Sequence, residues 1–321
     1  MEKNLINELG DDVVDIQKQN LIRLSRSARQ LPLKAGKIRS QWSGGYLSPF
    51  KGRGMEFDEV RPYQVGDEIR NLDWRVMART GKPYTKMFRE ERERSVLLFL
   101  DLNTPMFFAT QKAFKSVIAS YAAGLLAWSA NYHGDRVGGL IFSESQHIEL
   151  RPKRGKKAVI QYIQQLVEHS AWIQNSREQH KKNEINNTNN STEQALFRLQ
   201  HVANPGSLIF MISDFRGLTE QAEQTVAQLS KHNDIVFIFV YDPLESDLPP
   251  KGLYRVCNQD NNAFTLDTNN ANFREHFHEN FITRKTQITS MCQRYGMYFL
   301  PLCTNENILS TLQTGLGVKR R

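Results

Sequence analysis

The prediction of the fold begins from one segment, Ser95-Val-Leu-Leu-Phe-Leu-Asp-Leu-Asn-Thr-Pro105. Its apolar run is short enough for a β-strand that is buried on both faces, and the run ends in the carboxylate of Asp101. A second apolar run, residues 207–213, ends in the same way at Asp214. Ligands of open parallel α/β sheets gather at the carboxyl ends of the strands, so we expect both acids to share one site. The alternative is that each aspartate only caps a helix or forms a turn.

Strands and helices alternate on either side of this segment. Further strands are predicted at residues 137–142, 234–240 and 297–302, with amphipathic helices between them, the first over residues 111–132. Alternation of this kind indicates an α/β fold, Rossmann-like, with a mostly parallel sheet and helices on both faces. The Asn-rich residues 175–190 predict a long mobile loop, followed by a helix capped by Ser191 or Thr192.

Composition excludes several classes of protein. The chain has 321 residues, of which 40% are hydrophobic and 24% charged, as in soluble globular proteins. Its three cysteines are too few and too widely spaced for a disulfide framework or a zinc site, which fits a reducing compartment. No apolar run approaches the ~20 residues of a membrane span, and the N-terminus lacks a signal-peptide core. We therefore expect a cytoplasmic protein.

Charge is distributed unevenly along the chain, whose net charge is +8. Between Gln17 and Met55 there are nine Lys or Arg and no Asp or Glu. With the basic residues at 151–157 and 319–321, this arm either binds nucleic acid or is simply solvated. Residues 51–94, in contrast, carry eleven basic and nine acidic side chains, a balance that indicates ion-pair networks.

Three parts of the chain are predicted from these patterns. Residues 1–34 form an N-terminal helical arm, and residues 35–94 form a small, charged, β-rich subdomain with short strands near 55–60 and 83–88. Residues 95–321 form the α/β domain.

The segment from Gly54 to Arg79 carries several motifs at fixed spacings. They are Gly54-Met-Glu-Phe57, Val60-Arg-Pro-Tyr63, Gly66-Asp-Glu-Ile-Arg70, Leu72-Asp-Trp-Arg75 and Ala78-Arg79. With this spacing the segment resembles the signature of the bacterial domain of unknown function 58 (DUF58) family, in which the signature precedes a von Willebrand factor A-like domain. We take its charged and aromatic side chains as candidate interaction residues, namely Arg61, Asp67, Arg70, Asp73, Trp74, Arg75 and Arg79.

The resemblance also implies a metal site. Von Willebrand factor A-like domains hold a divalent cation through Asp-x-Ser-x-Ser after one strand, a Thr from a later loop and an Asp after another strand. The matching positions here are Asp101, Asn103, Pro105, Thr192 and Asp214. Asn103 still offers an oxygen, which is the ligand atom that Mg²⁺ prefers, whereas Pro105 offers no side-chain ligand. We therefore expect a degenerate metal-ion-dependent adhesion site that binds Mg²⁺ weakly, or a relic whose acids bond only backbone amides.

No motif of a familiar enzyme class is present. The chain lacks a nucleophile elbow, the zinc-protease motif His-Glu-x-x-His and a Walker lysine. The resemblance implies a non-enzymatic protein-interaction adaptor that partners a MoxR-type AAA+ ATPase in the maturation or remodelling of other proteins, with no small-molecule substrate. Two alternatives stay open. One is nucleic-acid binding through the basic arm, and the other is a divalent-metal phosphohydrolase that uses Asp101 and Asp214.

Overall fold

The computed structural model of the chain describes residues 12–31, 33, 55–64, 67, 69, 72–90, 93–176, 184–257 and 263–317. These residues form two compact units, one within residues 1–38 and 94–321 and the other within residues 39–93. The described residues 12–31 and 33 belong to the same unit as the α/β domain. The three-part organisation stays a prediction.

Helices and strands alternate along most of the chain. The first elements are α1 (Lys18–Arg23), β1 (Met55–Pro62), α2 (Trp74–Thr80), β2 (Tyr84–Glu90), β3 (Ser95–Asp101), α3 (Lys115–Tyr132), β4 (Arg136–Phe142), β5 (His147–Arg154), α4 (Lys156–Val167), α5 (Ser170–Ser176) and α6 (Glu184–Val202). They are followed by β6 (Leu208–Ser213), α7 (Glu220–Ser230), β7 (Asp234–Tyr241), α8 (Pro243–Ser246), β8 (Leu253–Cys257), β9 (Ala263–Asp267), α9 (Ala271–Arg294), β10 (Tyr298–Cys303) and α10 (Ile308–Gly315).

A six-stranded sheet forms the centre of the larger unit, in the order β10-β7-β6-β3-β4-β5. All neighbours run parallel except β5, which pairs antiparallel with β4 at the edge. The predicted α/β fold with a mostly parallel sheet is therefore confirmed. Leu100 in β3 pairs with Ile212 in β6, so Asp101 and Ser213 lie side by side at the carboxyl edge.

Helices cover both faces of this sheet, as the continuous apolar strands predicted. Leu98 and Leu100 of β3 pack in one core layer with α3 and α4. Leu97 and Phe99 point to the opposite face and pack with α6, α7 and α9. Because successive side chains of a strand alternate between faces, one short strand contributes to both cores.

Two adjacent glycines in β4 allow close strand pairing. A Cβ atom on Gly139 would lie 2.1 Å from the carbonyl oxygen of Leu98 in β3, and one on Gly138 would lie 2.5 Å from the carbonyl oxygen of Leu150 in β5. The register between β4 and β5 also shifts between Val137 and Gly139. Only residues without a side chain fit where backbone approaches this closely.

The loop predicted at residues 175–190 is wrong for the part that the structure describes. Helix α5 continues to Ser176 and α6 already begins at Glu184, while residues 177–183 lie outside the described residues. Thr192 therefore lies inside α6 and is not its N-cap. The first turns of α6 are polar, so the sequence does not predict them as helix. They are helical because the later turns pack on the sheet and the helix extends from them toward its N-terminus.

The smaller unit contains an antiparallel pair, β1 and β2, with α2 between them in sequence. Both strands were predicted, and a β-bulge interrupts their register between Phe57 and Glu59. Among the described residues of either unit, no helix combines the length and apolar character needed to cross a membrane.

Candidate functional site

Three neighbouring strands of the larger unit each end in a buried carboxylate. Asp101 ends β3, Asp214 follows β6 and Asp242 follows β7, and their exposed fractions are 3%, 2% and 0%. Because β3, β6 and β7 are adjacent and parallel, the three acids line one edge of the sheet. The prediction that Asp101 and Asp214 meet at this edge agrees with their direct electrostatic interaction.

Two hydrogen bonds hold the carboxylate of Asp101. Its Oδ1 accepts from the backbone N–H of Asn103 at 2.8 Å, and its Oδ2 accepts from the Ser213 hydroxyl at 2.6 Å. Burial and the nearby charge of Asp214 raise the pKa of Asp101 to about 7, although both hydrogen bonds act in the opposite direction. At neutral pH this carboxyl group is therefore protonated in a large fraction of molecules.

The loop after β3 meets helix α6 beside Asp101. The side-chain oxygen of Asn103 accepts a hydrogen bond from the Ser191 hydroxyl at 2.8 Å, and Thr192 is the next residue in the helix. Thr192 and Ser213 both line an apolar cavity of about 10 Å³, which has room for about one water molecule. The structure thus gathers the predicted residues around one place, while Pro105 lies in a short 3₁₀ turn, Thr104–Met106.

Lys115, at the start of α3, is fully buried against the second acid. Its ammonium group donates to Asp214 Oδ2 at 2.8 Å and to Glu245 Oε1 at 2.9 Å. Burial alone would raise the pKa of Asp214, but the positive charges of Lys115 and Arg216 outweigh burial and hold that pKa below its usual value. Asp214 is therefore an ionised carboxylate neutralised from within the chain.

Arg216 completes this cluster from the solvent side. Its Nε lies 3.2 Å from Asp214 Oδ2, its Nη2 donates to Glu245 Oε1, and its backbone N–H donates to Asp214 Oδ1 at 3.1 Å. The Arg216 side chain is 45% exposed, whereas those of its two acidic partners are buried. The cluster therefore presents one guanidinium group to solvent above a buried ion-pair network.

The third acid, Asp242, has a structural role. It caps the short helix α8 in a capping box with Glu245, whose Oε2 accepts from the Asp242 backbone N–H at 3.0 Å. The Asp242 carboxylate also accepts from the Thr110 backbone at 3.0 Å and from the Thr304 hydroxyl at 3.0 Å. These bonds tie the loop before α3 to the end of β10.

Sequence reasoning missed Lys115, Ser213, Asp242 and Glu245. Two of them carried a signal that could have been used. Lys115 lies three residues before Ile118 on the apolar stripe of its helix, where an unpaired charge would be costly and a buried acidic partner is expected. Asp242 follows a third apolar strand, as Asp101 and Asp214 follow theirs.

The side chains implied for a metal do not suit a divalent cation as they are folded. Both oxygens of Asp101 and both of Asp214 accept hydrogen bonds, and Asp214 already has two cationic partners. The buried amide nitrogen of Asn103 has no hydrogen-bond partner within the described part of the chain, and this atom is a donor and not a metal ligand. The described residues also contain no group of three or more His, Cys, Asp or Glu placed to hold a metal ion. Of the two expectations, these contacts favour acids that bond within the chain over weak Mg²⁺ binding, and metal titration tests the choice.

The candidate interaction residues lie in the smaller unit, and several of them stabilise its local structure. Arg61 Nη2 lies 2.6 Å from Asp67 Oδ1, so the predicted ion pairing is found here. Asp67 also accepts from the Gln64 backbone, which lowers the pKa of its carboxyl group. Asp73 caps α2 by accepting from two backbone N–H groups of its first turn.

The remaining candidates of the smaller unit lie toward solvent. Trp74 is 61% exposed, and both Arg75 and Arg79 are exposed on the same helix, α2. Arg70 lies outside the described residues. Among the described members of the set, Trp74, Arg75 and Arg79 are thus the most exposed to a partner.

Comparison with known proteins identifies relatives of this chain. The profile of the family described as "Protein of unknown function DUF58" matches residues 59–287. Uncharacterized proteins of Mycobacterium bovis and Mycobacterium tuberculosis are 22% identical over 303 residues, which make up 93% of this chain and 90% of each relative. A crystal structure of an aerotolerance-related membrane protein from Bacteroides fragilis, with multiple mutations to serines, aligns at 13% identity with a TM-score of 0.43 and covers 70% of this chain and 98% of that one.

Proposed function

Since this chain belongs to the DUF58 family, we propose that it is a non-enzymatic protein-interaction adaptor that partners a MoxR-type AAA+ ATPase in the maturation or remodelling of other proteins. In this proposal the larger unit is a von Willebrand factor A-like binding domain, and the carboxyl edge of its sheet is a degenerate metal-ion-dependent adhesion site. The ATPase partner follows from the resemblance of the signature, residues 54–79, to that family.

The observation that carries this proposal is that the polar side chains at the strand ends already have partners within the fold. The Ser213 hydroxyl donates to Asp101 and accepts from the backbone N–H of Phe215, so it is engaged within the fold. Lys115 is buried between two carboxylates. The cavity that Thr192 and Ser213 line has room for about one water molecule and is lined mainly by apolar side chains. Such a site is better suited to contact with another protein than to turnover of a small substrate.

The compartment proposed for this function is the cytoplasm. Cys292 and Cys303 are both buried free thiols. Free cysteines are typical of proteins kept in a reducing compartment. The proposed ATPase partner needs cytoplasmic ATP.

A nucleotide-dependent pull-down tests the proposal. The tagged chain is crosslinked in cell extract with ATPγS or with ADP, and the recovered proteins are identified by mass spectrometry. We expect an AAA+ ATPase that is enriched with ATPγS, and weaker enrichment with the double variant Asp101→Asn/Asp214→Asn after circular dichroism has shown that this variant folds. Recovery of no AAA+ ATPase above the level of an unrelated tagged protein would refute the partnership.

A further inference from the structure

We propose that Arg216 binds a carboxylate of an acidic segment in the partner protein, and that Lys115 supplies the buried positive charge that a divalent cation would otherwise supply. This inference rests on the proposed function and specifies the partner chemistry of the same edge of the sheet. It predicts docking that needs no metal ion.

Lys115 supplies a buried positive charge to two carboxylates. Lys115 places an ammonium group within 2.9 Å of both Asp214 and Glu245, and its side chain is fully buried. A divalent cation bound to Asp214 would have to approach this ammonium group and displace or repel it. The carboxylates therefore already have their counter-charge, tethered to helix α3.

Arg216 has more N–H donors than its two acidic partners use. A guanidinium group has five N–H donors in a rigid plane. Here Nε–H faces Asp214 and one Nη2–H faces Glu245, so the two N–H groups of Nη1 and one of Nη2 have no partner among the residues that the structure describes. Nη1 and Nη2 together form the end of the guanidinium fork, which fits both oxygens of a carboxylate. With 45% of this side chain exposed, an incoming carboxylate can reach it.

Arg216 is held in one orientation, and further charged groups lie around it. Two buried carboxylates fix the orientation of Arg216, so little side-chain entropy is lost when a ligand binds. Arg284 lies within electrostatic reach of Arg216, Asp214 and Glu245. Three cations thus lie beside Asp214 and Glu245, while Asp101 adds part of a negative charge next to Asp214 and Asp242 is turned toward Thr110 and Thr304.

A small net positive charge and the shape of one guanidinium fork favour a carboxylate over a phosphate group. A phosphate carries nearly two negative charges and recruits several cations, whereas one guanidinium fork matches one carboxylate. Among the described residues of the cluster, Arg216 offers one exposed fork and not a row of cations such as tracks a nucleic-acid backbone. An Asp or Glu side chain of a protein segment is therefore the ligand that this geometry fits.

Peptide binding without metal tests this inference. The full chain is applied to an array of immobilised peptides that carry one or two Asp or Glu residues, and each is matched with its Asn or Gln form and with a phosphoserine form. The buffer contains EDTA in one series and Mg²⁺ in the other. The variants are Arg216→Gln, which removes the fork, and Arg216→Lys, which keeps the charge. Arg294→Gln is the control, since Arg294 is also exposed and paired with an acid, Glu223.

The expected result is a set of acidic peptides that bind equally with EDTA and with Mg²⁺. Their amide forms bind at least about tenfold more weakly, because a charge-assisted bidentate contact is lost. Arg216→Gln shows the same loss, Arg216→Lys recovers only part of the affinity, and Arg294→Gln binds as the wild type does. Binding that requires Mg²⁺, or that is unchanged in Arg216→Gln, would overturn the inference. Stronger binding of the phosphoserine peptides would overturn the choice of ligand.

This outcome is separable from the fate of the proposed function. If Arg216→Gln recovers the AAA+ ATPase as well as the wild type does while peptide binding fails, the adaptor proposal stands and the docking residue is wrong. If acidic peptides bind through Arg216 but no ATPase is recovered, the docking site stands and the partner is wrong.

Discussion

Replacement of Lys115 by methionine is the sharpest test of the buried ion-pair network. The variant keeps the length and the apolar part of the side chain but removes the ammonium group that bonds Asp214 at 2.8 Å and Glu245 at 2.9 Å. Removing one partner of a buried ion pair typically costs about 3–5 kcal/mol, because the other partner stays buried without compensation. Arg216 still contacts both carboxylates from the solvent side, so we expect the lower end, about 3 kcal/mol.

A loss of this size is easy to measure in the larger unit. For a unit of this size it corresponds to a fall in melting temperature of about 6–12 °C. Urea unfolding followed by tryptophan fluorescence reports on this unit, because Trp128 and Trp172 are buried within it. Lys157→Met is the matched control: Lys157 is exposed, and the change should cost less than about 0.5 kcal/mol.

The effect of Lys115→Met should also depend on pH. In the wild type the pKa of Asp214 is held low, so its contribution to stability is present above the pKa of the unfolded chain and is lost as pH falls. Without Lys115 that pKa rises, and the stability difference between wild type and variant shrinks as the medium becomes acidic. A Lys115→Met variant as stable as the wild type at pH 7, or a difference that grows toward acidic pH, would refute this reasoning.

Three further changes test other parts of the larger unit by urea unfolding. Burial lowers the pKa of His169 from 6.5 to about 4, so its contribution to the free energy of unfolding should fall by about 2 kcal/mol between pH 7 and pH 5. His169→Gln should remove this pH dependence, and an unchanged dependence would contradict the assignment. Gly139→Ala places a Cβ atom 2.1 Å from a backbone oxygen and should lower the free energy of unfolding by more than about 3 kcal/mol. In Gly252→Ala the new Cβ atom meets a tyrosine ring at 3.4 Å, and the loss should be under about 1 kcal/mol. Equal losses would contradict the packing. Tyr162→Phe removes a buried hydroxyl that has no hydrogen-bond partner among the described residues and should be neutral or stabilising, whereas Tyr121→Phe loses a 2.8 Å bond to an aspartate and should cost about 1–2 kcal/mol. The reverse order would contradict the hydrogen-bond assignment.

The sheet and its edge could be predicted from the sequence because their signals are local. Each central strand is a short apolar run, and the acids Asp101 and Asp214 end two of these runs. Parallel strands then bring their carboxyl ends together without any further information.

The charge network could not be predicted in the same way, because its members are far apart in sequence. Lys115 bonds Asp214, 99 residues later, and Glu245, 130 residues later. Neither pair shares a helix turn or a hairpin, and their meeting depends on where α3 and α8 pack. The start of α6 was missed for a related reason, since long-range packing of its last turns outweighs its polar composition.

The central claim is that the chain itself supplies the positive charge at the carboxyl edge of the sheet, and metal content measures this most directly. Wild type, Lys115→Met and Asp101→Asn are dialysed against Mn²⁺, and bound metal per chain is measured by mass spectrometry. We predict no stoichiometric Mn²⁺ in the wild type, because Lys115 and Arg216 already neutralise Asp214. One Mn²⁺ per wild-type chain, lost in Asp101→Asn, would contradict the account and support the metal site that the sequence implied.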